Sequence, residues 1–255
     1  PEILPTASLS KANGWQQAFV YIAIVLGAGV VPVLSRFTDG RYHLASIFCI
    51  GLALLGWILA RGIRTTEVSG TTQRWHLNPL TGVRETFRAI QDDTPLLSAI
   101  IGVAFFLLIG GFVQMNLTPY GVSYMGFEQV EDASLLFLIV AVGIGTGAMA
   151  AGMVSGRQIE FGLVPLGALG LALTLGLLGA KVGAGSFLAT GSILIIMGVS
   201  GGLYIVPLVA FVQWHSPRER LTEILALESF LSFLGVLLAA LLLMGMTDLD
   251  ISPSG

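Results

Sequence analysis

Glu228 is an acidic side chain inside a long apolar run, LTEILALESFLSFLGVLLAALLLMGM. An ionisable group within a membrane span is costly and by default indicates a functional site. Glu223, five residues earlier, points to another face of the same helix. Two interpretations of Glu228 stay open. It either lines a cavity as a coupling residue, or it reaches the membrane edge and pairs with Arg218 or Arg220.

A second group of polar side chains lies near the end of another apolar run. Pro119 and the pair Gly110-Gly111 bracket this group, and such residues loosen a membrane helix. The pattern favours a gate or a headgroup contact, although a helix end that emerges into the interface would look the same. The group consists of Gln114, Asn116, Thr118 and Tyr120.

Tyr204 lies between Gly201-Gly202 and Pro207. Glycine and proline are tolerated in membrane helices at points that bend, so Tyr204 is a candidate for the translocation path. Packing in the core is the alternative.

The sequence contains no recognisable catalytic or metal-binding pattern. His43, His76 and His215 lack metal-ligand spacing. There is no nucleophile elbow or Walker sequence, and the glycines from Gly143 to Gly147 lack the strand that a dinucleotide fingerprint requires. We therefore expect no catalytic residue, no cofactor and no metal.

Composition decides the protein class. The chain has 255 residues, of which 55% are hydrophobic and 11% charged. Soluble domains carry about 25% charged residues. The net charge of −3 gives no footprint for nucleic acid. These values predict an all-α integral membrane protein in contact with lipids, and Cys49, the one cysteine, is expected to be a small buried residue.

The apolar runs predict seven transmembrane helices, each near the 20 residues that a bilayer requires. The expected bounds are Gly14–Leu34, His43–Ala60, Pro95–Tyr120, Ala133–Val154, Gly162–Ala180, Ser186–Val212 and Leu221–Met244.

The segment 61–94 is the longest polar stretch. Within it, Val83, Phe87 and Ile90 recur at helical spacing over Thr81–Ile90. This pattern predicts a short amphipathic helix that lies in the membrane interface. A solvated linker helix is an equal alternative.

The fourth and fifth predicted spans form a helical hairpin, and a short charged turn connects them. Small residues recur every fourth position along the first of these spans, which permits close approach to a neighbouring helix. They are Gly143, Gly147, Ala151 and Ser155.

Basic residues in short loops predict the orientation. Nine of the 12 lie on one side, which is therefore expected to be cytoplasmic and to hold the N-terminus and Arg157. The other three are Arg36, Arg41 and Lys181.

The hairpin turn GMVSGRQIEFG resembles the cytoplasmic loop signature of the major facilitator superfamily. Gly152 matches its first glycine and Arg157 its basic residue, whereas Gly156 stands where the family usually has Asp. The resemblance implies that Gly152, Gly156, Arg157 and Gly162 brace a conformational change. The strings IEFGLVPLGALGLAL and GGLYIVPLVAFVQWHSPRER more specifically resemble the lysophospholipid-transporter branch.

The resemblance implies a domain organisation. Residues 1–60 correspond to the last two helices of an N-terminal half, 61–94 to the central cytoplasmic loop, and 95–255 to five helices of the C-terminal half. We expect the chain to be a fragment that covers helices five to eleven of twelve.

The implied function is secondary transport by alternating access in a bacterial inner membrane, with lysophospholipid as a candidate substrate. A small-solute or drug exporter of the same superfamily is the alternative, as is the membrane part of a transporter fused to an acyltransferase. A retinal-type receptor is disfavoured because residues 221–246 contain no lysine.

Overall fold

The computed structural model describes residues 9–38, 42–62, 79–127, 130–155 and 159–248, and within these ranges every regular element is a helix. A single 3-10 turn, Arg218–Arg220, precedes the last α-helix. The predicted all-α class is confirmed. The helices are α1 (Leu9–Thr38), α2 (Tyr42–Ala60), α3 (Pro79–Ile90), α4 (Thr94–Met125), α5 (Val130–Val154), α6 (Leu163–Gly179), α7 (Phe187–His215) and α8 (Leu221–Asp248).

Four segments of the described chain are long and apolar enough to cross a membrane: α4, Leu135–Val154 of α5, α7, and Arg218–Thr247, which covers α8 except its last residue. Two further apolar stretches, Ser46–Ala60 and α6, are shorter than 18 residues. Each of the seven expected spans coincides with an observed helix, while seven crossings of the bilayer stay a prediction.

Helix α7 is at the centre of the bundle and packs most extensively against α5. Glycines on both helices form this crossing. A Cβ atom on Gly143 would lie 2.6 Å from the Ile195 carbonyl oxygen, and Gly147 lies directly against the Val199 backbone. From α7, Gly198 and Gly202 meet the α5 backbone in the same way. The close approach predicted from the small-residue spacing is confirmed.

The same kind of contact attaches the other helices. A Cβ atom on Gly167 of α6 would lie 2.6 Å from the Ser200 carbonyl oxygen of α7. On α8, a Cβ atom at Gly235 would lie 2.6 Å from the Ala104 carbonyl oxygen of α4. Because lipid is as apolar as these helix surfaces, close backbone packing is what holds such a bundle together.

Helix α4 corrects one predicted boundary. The expected end was Tyr120, but α4 continues through Pro119 to Met125. Proline removes one backbone donor, and the remaining hydrogen bonds carry the helix past it. The helix ends where Gly126 adopts a left-handed φ of 71° and donates its N–H to the Gly121 carbonyl.

A helix is found where the amphipathic pattern predicted one, as α3 over Pro79–Ile90. Val83 and Ile90 pack inward beside Thr86, whereas Phe87 is 42% exposed. Whether α3 lies in the membrane interface stays a prediction.

One smaller expectation is corrected. Cys49 is exposed instead of buried. Its helix, α2, contacts α1 only lightly.

The α5–α7 crossing yields a stability prediction. Gly147→Ala should lower the free energy of unfolding by about 1–3 kcal/mol, because its methyl group would overlap the Val199 backbone. Gly176→Ala in α6 is the matched control, since nothing lies within 4 Å of its Cβ position. It should be neutral or stabilising, as alanine favours helix. Equal effects of both substitutions on unfolding in detergent would contradict the packing role.

Candidate functional site

A cavity of about 370 Å³ lies between α4, α6 and α8. One stripe of α4 forms its long wall through residues spaced one turn apart, namely Leu108, Phe112, Asn116 and Tyr120. The opposite walls include Leu175 and Leu178 of α6 and Leu242 of α8. At ~1.5 Å per residue, the α4 wall is ~18 Å long. The volume is in the range of small-molecule sites, roughly 300–1,000 Å³.

Asn116 and Tyr120 are the polar members of the lining. Tyr120 is 4% exposed, and its hydroxyl group has no hydrogen-bond partner within the described part of the protein. Its ring centroid lies 5.3 Å from that of Tyr124. Because a buried hydroxyl without a partner is costly, this end of the cavity is suited to a ligand that supplies a polar atom.

The structure separates the other predicted residues of the path from this cavity. Gln114 is exposed on a different face of α4. The Tyr204 hydroxyl donates to the Gly102 carbonyl oxygen at 3.2 Å, and its ring is stacked on Phe106 at 5.9 Å. Tyr204 thus ties α7 to α4. Whether Gln114 and Tyr204 contact substrate stays a prediction.

Glu228 is half-buried on α8, where its carboxylate accepts a hydrogen bond from Ser232 Oγ at 3.2 Å. None of the ion pairs found among the described residues joins it to Arg218 or Arg220. Ser232 lies on the same helix, so this hydrogen bond does not join Glu228 to another helix. Glu228 does not line the cavity.

The predicted loop motif is described only in part. Gly152 is buried on α5. A Cβ atom placed on Gly14 of α1 would lie 2.8 Å from the Gly152 Cα atom. Gly162 is exposed at the start of α6. Gly156 and Arg157 lie outside the described residues.

Polar pairs at the end of α7 were missed by the sequence reasoning. Asn13 Nδ2 of α1 donates to Gln213 Oε1 at 3.0 Å, and Asn13 is 5% exposed. His215 Nε2 lies 3.0 Å from Asp93 Oδ2, just before α4. The last turn of α7 is thereby joined to both α1 and α4. Neither pair has a local sequence signal, because the partners are far apart in the chain.

We call this end of the bundle the basic end, because Lys11, Arg84, Arg88, Arg218 and Arg220 lie on it. Tyr120, with Tyr124 beside it, lies at the opposite end of the bundle.

Comparison with known proteins identifies the family. A model of the Major Facilitator Superfamily matches residues 1–240. The chain belongs to the major facilitator superfamily. No solved structure matches it.

Curated relatives of this superfamily member are named "Lysophospholipid transporter LplT". The protein from Enterobacter sp. (strain 638) is 28% identical over 214 residues, which are 83% of this chain and 52% of that protein. The one from Klebsiella pneumoniae (strain 342) is 26% identical over 98% of this chain and 61% of its own length. The Photorhabdus laumondii protein is 27% identical over 95% of this chain and 59% of its own length.

The chain thus spans between 52% and 61% of these relatives' lengths. Superfamily membership and the apolar helices make it an integral membrane protein of a transporter family. The names of these relatives describe transporters.

Asp93 yields a testable prediction at the basic end. Its Oδ1 atom caps α4 by accepting from the Leu96 N–H at 3.2 Å, and its Oδ2 atom contacts His215. Asp93→Ala removes both contacts and should cost about 1–2 kcal/mol of stability in detergent. Asp93→Asn keeps a good capping group, so most of the stability should remain. If Asp93→Asn were as damaging as Asp93→Ala, the contact between the Asp93 carboxylate and His215, and not the cap, would hold this end.

Proposed function

We propose that the protein is a secondary transporter that moves a single-chain amphiphile, a lysophospholipid, across the bacterial inner membrane by alternating access. The observation that carries this proposal is the lining of the cavity, which is apolar except for Asn116 and Tyr120. A chain-like ligand with one polar end matches that arrangement. The names of the curated relatives favour the same substrate class.

Contacts at the basic end support alternating access. Residues 1–60 and 95–255 correspond to parts of two transporter halves, and α1 of the first meets α5 and α7 of the second. A Cβ atom on Gly14 would lie 2.6 Å from the Ala148 carbonyl oxygen, and Asn13 bonds to Gln213. Opening this end requires both contacts to separate. Gly152, Gly156, Arg157 and Gly162 would brace that movement from the adjoining loop.

The basic end faces the cytoplasm in this proposal, since Lys and Arg accumulate in cytoplasmic loops. The Tyr120 end of the cavity then faces the outer leaflet, and Asn116 and Tyr120 meet the headgroup of an entering lipid. Gln114 and Tyr204 complete the path only if α4 and α7 rearrange, because neither lines the cavity observed.

The test uses the full-length gene in a bacterial host that lacks lysophospholipid uptake. Labelled lysophosphatidylethanolamine is added to spheroplasts, and the fraction that albumin can no longer extract is measured. We expect this protected fraction to rise only when the gene is present. A change in accumulation of an apolar drug, with lysophospholipid unaffected, would instead identify a drug exporter and refute the proposal.

Glu228→Gln tests whether the carboxylate in α8 couples transport. Glutamine can still accept from Ser232 and is nearly isosteric, so only the ionisable group is lost. If Glu228 is a coupling residue, transport by the full-length protein should fall at least ten-fold and lose its dependence on external pH. An unchanged rate and pH profile would remove Glu228 from the mechanism. Ser232→Ala serves as the control for the hydrogen bond.

A further inference from the structure

One side of α3 is held against the bundle. The helix contacts α8 and α4. Thr86 and Ile90 are each 5% exposed, and Val83 packs with the core beside them. Residues three, four and seven positions apart share one side of an α-helix, so these three face the same way. The rotation of α3 about its own axis is therefore fixed, and the rest of its surface faces away from α8.

A stripe of apolar and basic side chains runs along this outward surface. Leu80 and Phe87 are seven residues apart, which places them on one side of the helix, and they are 61% and 42% exposed. Arg84 follows Leu80 by one turn, and Arg88 follows Arg84 by another. Both arginines are exposed. We call Leu80, Arg84, Phe87 and Arg88 the outer stripe.

The connection to α4 relates α3 to the level of the bilayer. Only residues 91–93 separate the end of α3 from the start of α4. Helix α4 has 32 residues and is about 48 Å long, which exceeds the ~30 Å of a hydrocarbon core. Its first turn is capped by the Asp93 carboxylate, which also contacts His215. If α4 crosses the membrane, this polar turn belongs among the headgroups, and α3 adjoins it.

We infer that the outer stripe of α3 binds the surface of a bilayer that contains anionic phospholipid. Leu80 and Phe87 enter the boundary between acyl chains and headgroups, and Arg84 and Arg88 pair with lipid phosphates. An arginine can lay its aliphatic stem along the apolar region while its guanidinium group stays among the headgroups. The inference adds an interaction surface to the protein and does not depend on which substrate is transported.

Charge determines which occupant fits this surface. A further apolar helix of the protein would bury Arg84 and Arg88 without counter-charges, which is costly. Glu85, the one acid within α3, lies about 160° around the helix from Phe87 and thus outside the outer stripe. Anionic headgroups supply the missing negative charge. Each arginine near such a surface strengthens binding about five-fold.

Spin-label accessibility in nanodiscs tests the surface. The full-length protein, with its cysteines replaced by serine, carries a nitroxide at position 87. The matched control carries it at Ala89, which is exposed but lies about 160° around the helix from Phe87. Collisions of the nitroxide with oxygen report contact with lipid, and collisions with a water-soluble nickel complex report contact with water.

The nanodiscs contain phosphatidylcholine alone or with about one third phosphatidylglycerol. We expect phosphatidylglycerol to raise the ratio of oxygen to nickel collisions at position 87 about three-fold or more, because two arginines favour the anionic surface. The ratio at position 89 should not change. Salt at about 0.5 M should reverse most of the rise, since it screens exposed charges.

Variants assign the effect to the two arginines. Arg84→Gln combined with Arg88→Gln should abolish the dependence on phosphatidylglycerol. Arg84→Lys combined with Arg88→Lys should retain most of it, because lysine keeps the positive charge. Lys11→Gln removes a basic side chain from α1 at the same end of the bundle, and it should leave the dependence unchanged.

Three results would overturn the inference. Frequent nickel collisions at position 87 in both lipid mixtures would show that the outer stripe faces water. Few collisions with either reagent would show that a protein segment covers it. Frequent oxygen collisions that respond to neither phosphatidylglycerol nor salt would show that the surface has no preference for anionic lipid. The salt measurement needs no arginine substitution, so it tests the inference even if a variant fails to fold.

Discussion

Helices α5 and α7 cross with their backbones in contact, and the positions of the other helices follow from this crossing. Gly143 and Gly147 of α5 lie against Gly198 and Gly202 of α7, so that no side chain separates the two helices. Association in lipid depends on dispersion contacts between closely packed surfaces, because burial of apolar groups gains little there. A methyl group at this crossing would push apart the pair on which α1, α4 and α6 are assembled.

The cavity is a consequence of how α4 distributes its faces. One face of α4 meets α7 through Gly102 and Phe106. Another face meets α8, where a Cβ atom placed on Gly111 would lie 3.5 Å from the Val236 Cα atom. The remaining stripe, from Leu108 to Tyr120, faces space that α6 and α8 enclose only in part. The helix continues past Pro119, and this extension places Tyr124 beside Lys181 at the cavity end. The packing that holds the bundle together therefore also positions the cavity proposed for the substrate.

Local patterns in the sequence predicted much of this molecule. Apolar run length located the helices, and the spacing of Gly143 and Gly147 indicated the close crossing. Asn116 and Tyr120 were recognised as a polar group near a helix end. What the sequence could not show are contacts between distant positions. Asn13 and Gln213 are 200 residues apart, and Asp93 and His215 are 122 apart, so no periodicity connects them. The predicted end of α4 at Tyr120 was wrong, because the sequence does not show how far packing extends a helix past an internal proline.

The central claim is that α1 and the end of α7 separate while lipid is transported. Spin labels at Lys11 and Trp214, both exposed at the basic end, can report the distance between α1 and the end of α7 by double electron–electron resonance. Cys49 is first replaced by serine so that it is not labelled. In nanodiscs without substrate, the account predicts a short distance set by the Asn13–Gln213 contact. Added lysophospholipid should populate a second, longer distance. A single distance that stays unchanged at saturating lysophospholipid would contradict alternating access through this end of the bundle.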